Sequence, residues 1–209
     1  IGASGSGALL NVSGTNTASG AITLGSATTI GSDSGELNLN AIAGGFDLTF
    51  DGSGNTNVSG IIGTGANTIT KLGSGTLTLS GTNTYSGGTT ISSGTVNVQN
   101  SSGLGTGSAT VVSGAELDLQ GGITVTNLLT LNGTGTSGSG ALLNVSGTNT
   151  ASGAITLGAA TTIGSTSGVL NLGAISGGFG LTFAGAGQTN VSGIIGTGAN
   201  TVTKSGSGT

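Results

Sequence analysis

Few residues in this chain can do acid–base or ligand chemistry. The 209 residues include six Asp or Glu, two Lys or Arg, and no His or Cys. Four of the acids, Asp33, Glu36, Asp47 and Asp51, fall within one stretch of nineteen residues. Two carboxylates are the minimal equipment of a glycosidase, one as acid and one as base or nucleophile. The sequence carries its own test of that chemistry, because residues 1–76 recur at an offset of 133 as residues 134–209, with 63 of 76 positions identical. The four acids become Thr166, Val169, Gly180 and Ala184 in the second copy. A carboxylate pair that every unit needed would not vanish from one of them. Without histidine the commonest general base and metal ligand is also absent. The acids are therefore expected to be solvated polar positions, no residue is assigned a catalytic, cofactor-binding or metal-ligating role, and the chain is expected not to be an enzyme.

Three further candidates reduce in the same way. "GGFDLTFDGSG" at 44–54 resembles an acidic Gly-rich calcium turn, but its spacing is wrong for one, and the second copy reads "GGFGLTFAGAG". Thr-x-Thr triplets such as Thr15/Thr17, Thr76/Thr78 and Thr124/Thr126 would suit ice binding only at one regular interval, which their spacings lack. Lys71 and its copy Lys204 are the only cations and read as lone surface lysines. A formal net charge of −4 with two lysines cannot hold a phosphate backbone, so nucleic acid is not an expected partner. No run of eighteen apolar residues is present to span a bilayer as a helix.

The elements that position these residues follow from a period of two. Leu77 and Leu79 alternate with Thr76 and Thr78, and Leu37 and Leu39 alternate with Glu36 and Asn38. The same alternation joins Leu48 to Phe50, Val96 to Val98, Leu117 to Leu119 and Leu129 to Leu131. Such runs are strands with one buried face, and their Thr and Val residues suit a pleated surface. Segments such as "SGTNT", "GSDSG" and "GTGAN" supply the turns, with Gly and Asn tolerating positive φ.

Repetition selects among all-β folds. The repeat unit is as long as that offset, roughly 5–137, and is followed by a partial second copy at 138–209. A fainter half-unit period shows in "SGTNT", with Asn16, Asn83 and Asn149 at matching places. Open-ended repetition is the signature of a solenoid, so the whole chain, 1–209, is expected to form a single parallel β-helical fragment of about ten coils of roughly 20 residues. Its expected inward core is Leu10, Leu37, Leu39, Leu48, Phe50, Leu77, Leu79, Val96, Val98, Leu117, Leu119, Leu129 and Leu131. The absence of proline fits a ladder that needs every N–H. With neither an initiating Met nor a signal peptide at "IGASGSG", the chain reads as a piece of something longer or processed.

The stretch "GSGTLTLSGTNTYSGGTTISSGTVNV" at 73–98, with Tyr85 and the paired Gly87–Gly88, resembles the autotransporter-associated β-strand repeat of bacterial type V secreted passenger domains. Degenerate versions occur at 5–23 and 138–156, with Ala in place of the tyrosine. The resemblance implies a right-handed β-helix exported to the surface of a Gram-negative bacterium. The function expected is structural: a stiff extracellular stalk or fibre with self-association, end to end or side by side, or contact with neighbouring repeats. The alternative is an adhesin that recognises a glycan or host surface.

Overall fold

A strand that repeats at intervals of about twenty residues can pair with its own successor, provided the chain returns to the same place on each circuit. The computed structural model, which describes residues 7–209, has this arrangement: its strands pair in parallel, no helix occurs among the described residues, and about ten turns of β-solenoid result. The expected start of the repeat at Gly5 lies outside the described residues. The turns divide into two compact units, Ile1–Gly107 and Ser108–Thr209.

The first unit has three walls. Wall A stacks Leu9–Asn11, Thr28–Ser32, Leu48–Asp51, Ile69–Lys71 and Thr89–Ile91. Wall B stacks Thr15–Ala18, Glu36–Leu39, Asn55–Val58, Thr76–Leu79 and Thr95–Val98. Wall C stacks the short strands Ile22–Thr23, Ile42–Ala43 and Ile62–Gly63. In register, Leu9 lies against Ile30, Ile30 against Phe50, Phe50 against Lys71 and Lys71 against Ile91, so each circuit consumes nearly the same length of chain.

Alternation decides which side chains fill the coil. Leu37, Leu39, Leu48, Phe50, Leu77, Leu79, Val96 and Val98 are all buried, as are Leu117, Leu119, Leu129 and Leu131 in the second unit. Each fully buried Leu or Val contributes about 1.5–3 kcal/mol. Leu10 is the exception. It is half-buried and in register with Gly31, while its neighbour Leu9 stacks on buried Ile30 and Asn11 is buried. The inward phase of this strand is thus Leu9 and Asn11, because a buried asparagine rather than a leucine closes the corner there.

Corners are built from glycine where turns crowd. Gly73 has φ +67°, and a Cβ on it would stand 2.3 Å from the carbonyl oxygen of Gly52 in the turn before. Gly52, at φ +109°, would meet the oxygen of Ser32 at 2.0 Å. Only a residue without Cβ lets successive corners nest at strand spacing.

The second unit repeats the plan. Wall D stacks Ala109–Val111, Leu129–Gly133, the first residues of Ile155–Ser165, Ile175–Ser176 and Ile195–Gly196. Wall E stacks Glu116–Gln120, Leu142–Ser146, the last residues of Ile155–Ser165, Leu181–Ala184 and Val202–Lys204. Wall F stacks Thr124–Val125, Thr148–Ala151, Val169–Leu172 and Gln188–Val191. One turn takes more chain than the rest, the one that brings Leu142 onto Leu117 and Thr150 onto Thr124. The extra length forms the bend around 134–140. Buried Glu116 holds it by accepting from the backbone N–H (3.0 Å) and hydroxyl (2.8 Å) of Thr136.

Candidate functional surface

The outward side of wall B carries a row of polar side chains at strand spacing. Thr17, Asn38, Asn57, Thr78 and Asn97 follow one another in register. They are outward because Leu37, Leu39, Leu77 and Leu79 on either side of them point in, and the period is two. The Asn57 amide donates to Asn38 Oδ1 at 3.0 Å, and the Asn38 amide donates to Glu36 Oε1 at 3.0 Å. The row recurs on wall F as Thr150, Asn171 and Asn190, with the Asn190 amide donating to Asn171 Oδ1 at 3.0 Å. Beside the first row runs a shallow groove lined by Ala18, Ser19, Asn40 and Ser59. The row offers hydrogen-bond donors and acceptors without net charge along its length, Glu36 at its margin excepted.

The acids are scattered through the turns. Asp47 is exposed and spans one turn, its Oδ1 accepting from the backbone N–H (2.8 Å) and hydroxyl (2.9 Å) of Thr68. Those two bonds, the backbone one foremost, hold its pKa below the usual carboxylate value. Asp51 Oδ1 accepts from the N–H of Gly52 at 2.7 Å, Glu36 engages Asn38, and Asp33 is exposed. Among the described residues no three His, Cys, Asp or Glu side chains gather as a metal would require.

Lys71 is the clearest departure from expectation. It is buried rather than on the surface, in the inward column between Phe50 and Ile91. Its ammonium is tucked under the A–B corner, donating to the carbonyls of Leu72 and Gly73 (2.8 Å for Gly73) and, at 3.5 Å, to that of Ser93. Burial lowers its pKa to about 8, and the Asp51 carboxylate opposes the shift. The period of two puts Lys71 on the same face as Ile69, a signal that the rarity of buried lysines overrides in a reading from sequence. Lys204 makes the same kind of contacts, with the carbonyls of Ser205 (2.9 Å) and Gly206 (3.1 Å), but is exposed.

The motif around Tyr85 plugs the coil from within. Tyr85 is fully buried, and its hydroxyl lies 2.7 Å from Thr89 Oγ1. Burial raises its pKa far above the ordinary tyrosine value, despite the Thr89 bond. Two residues earlier, Asn83 accepts from the N–H of Ile62 on the turn below (2.8 Å) and donates to the carbonyl of Gly103 on the turn above (2.6 Å). In the second unit Asn149 of the same "SGTNT" motif accepts from the N–H of Ile123 at 2.8 Å. The motif is thus a staple between turns, made by an amide that can donate and accept at once.

This stapled, tyrosine-filled turn is what a comparison with protein families singles out. Residues 69–98 match the passenger-associated-transport-repeat. The chain therefore carries an autotransporter passenger repeat, and that repeat together with the solenoid fold supports a repeat-based extracellular passenger domain. The passenger repeat runs from the last strand but one of wall A through Tyr85 to the end of Thr95–Val98. No curated protein and no solved structure matches the chain. No helix among the described residues is long and apolar enough to cross a membrane.

Proposed function

We propose that this chain is a structural segment of a bacterial surface passenger, a stiff β-helical stalk or fibre that associates with further copies of itself through its uncharged walls. The observation that carries the reading is the polar row from Thr17 to Asn97. It repeats at about 4.8 Å along the wall and lines up amides that already bond to one another, as Asn57 does to Asn38. Such a row meets an identical row with many hydrogen bonds and little charge repulsion, whereas a glycan site would need convergent polar groups in a pocket or stacking aromatics. The one tyrosine is sealed inside the coil. In this reading the protein catalyses nothing: Asp47 and Glu116 bond to neighbouring turns, Glu36 bonds to Asn38 in its own strand, and no cofactor takes part.

Electron microscopy of the native material with averaging along the axis tests the proposal. Thin rods with an axial spacing of about 4.8 Å, gathered side by side or end to end, are expected. Separate rods that stay dispersed at high concentration would remove self-association. Rods that bind glycan-coated surfaces through their walls would favour the adhesin alternative.

A further inference from the structure

The outward amide row occurs once in each unit, and the two rows differ in charge. On wall B the column of Asn38 and Asn57 runs beside a second outward column, in which Thr15, Glu36 and Asn55 are in register. On wall F the column of Asn171 and Asn190 runs beside Thr148, Val169 and Gln188. The second row is the copy of the first, residue for residue. Its amide column is unchanged, whereas Glu36 has become Val169 and Asn55 has become Gln188.

That exchange decides what each row can meet. Each amide in the ladder spends one N–H on its neighbour, Asn57 on Asn38 and Asn190 on Asn171, both at 3.0 Å. A second N–H and an oxygen lone pair are left for a partner outside the coil. Glu36 is half-buried and takes one of its donors from the Asn38 amide. A body laid on wall B would strip the remaining water from that carboxylate, which is costly without further donors. Two facing wall-B rows would strip two carboxylates, and in parallel register would set them opposite each other.

Val169 stands at the same place and gains from being covered. Beside it the Gln188 amide donates to Asn190 Oδ1 at 2.8 Å, so the amide bonding spreads across both columns. No strand of wall F contains a charged residue. The wider distribution has the same sense. The first unit holds Asp33, Glu36, Asp47 and Asp51 against Lys71, a formal −3; the second holds Glu116 and Asp118 against Lys204, a formal −1. A single charge on an otherwise self-complementary face is a common means of keeping that face from pairing.

From this asymmetry we infer that the row on wall F is the face on which a second copy of this chain docks, and that Glu36 holds the row on wall B out of that contact. This docking rests on the function proposed above and gives it a site. The partner is the same row of the second copy, an isologous contact in which amide meets amide. Val169 lies at its centre, between Thr148 and Gln188, and excludes water from the hydrogen bonds around it.

Exchanging the two residues in the 209-residue chain tests the assignment. Each substitution installs what the other copy carries at that place, so the inward columns are untouched, and circular-dichroism melts that match the wild type verify this. Sedimentation over a concentration series reads the association. Val169→Glu should weaken it at least about tenfold, because like charges now meet across the contact. The double variant Glu36→Val with Val169→Glu keeps the wild-type net charge and should associate again, through wall B. Glu36→Val alone should associate more tightly than the wild type. Association of Val169→Glu at wild-type strength overturns the inference and leaves the proposed function standing. A double variant as weak as Val169→Glu, or a Glu36→Val chain no tighter than the wild type, overturns the role of Glu36. A wild-type chain that stays monomeric throughout the series overturns the proposed function, and the docking row with it.

Discussion

Replacing Tyr85 by phenylalanine should weaken the passenger repeat by an amount the structure allows one to work out. The ring is fully buried and stays in place in the variant, so the change is confined to the hydroxyl and its 2.7 Å partner, Thr89 Oγ1. Thr89 is itself 3% exposed, so its hydroxyl cannot turn to water once the phenol is gone. Leaving one buried polar group without its partner costs about 1–3 kcal/mol. Thr89→Val alone strands the phenol instead and should cost a similar amount. The double variant strands neither, and should recover most of the loss, giving a coupling of about 1–2 kcal/mol. Tyr85→Ala removes the plug as well and should cost about 3–5 kcal/mol, because the coil cannot collapse onto the space. Urea unfolding supplies the free energies. Hydrogen exchange over residues 83–107 shows where they act, since a solenoid opens region by region. If Tyr85→Phe unfolds at the wild-type urea concentration with unchanged exchange, the buried bond stabilises nothing. If Thr89→Val fails to rescue it, the two hydroxyls are not coupled.

Other expected outcomes follow from single contacts. Leu79→Asp places a charge in a fully buried column between Val58 and Val98 and should abolish the cooperative melt of the first unit by circular dichroism; an unchanged melt would mean that this face points outward. Gly73→Ala meets both a positive φ and the Gly52 carbonyl, and should cost more than about 2 kcal/mol in a denaturant titration. Gly65→Ala, at the same φ but in open space, should cost only about 1–2 kcal/mol, so equal effects would show that crowding at the corner is irrelevant. Stability should also rise with pH between about 8 and 10. Over that window folded Lys71 has lost its proton while the unfolded chain still binds one, so the folded state gains on the unfolded state as pH increases. Above the ordinary tyrosine pKa near 10 the sense reverses, because unfolded Tyr85 ionises and folded Tyr85 does not. Melting temperatures at pH 7.5, 9.5 and 11.5 should pass through a maximum, and Lys71→Met should flatten the rising limb.

The columns are legible in the sequence because they depend only on a period of two and on repetition. Leu37, Leu77 and Leu117 need no more than that. Leu10 is misplaced by such a reading because two adjacent leucines fit either phase, and the structure chooses the one that buries Asn11, whose amide donates to Ser32 Oγ (3.0 Å) and the Ser34 carbonyl (2.9 Å). Those partners sit one turn away and leave no local mark. Lys71 escapes for the opposite reason: its phase is plain, but the carbonyls that make burial tolerable come from the corner geometry of two turns.

The inward columns also turn the two copies into a record of what the coil tolerates. Each inward residue is clasped by residues about twenty places before and after it, so a change there must suit both neighbours at once. Outward residues answer to solvent on one side. Among described positions that differ between the copies, the pairs include Ser26 and Ala159, Asp33 and Thr166, Asn40 and Gly173, Asp47 and Gly180, Asn55 and Gln188, all exposed in the first copy. Only Ile69 and Val202 differ within an apolar column, by a single methylene. Sequence change in such a protein is thus channelled to its outer skin, where new contacts can be tried without loosening the turns beneath.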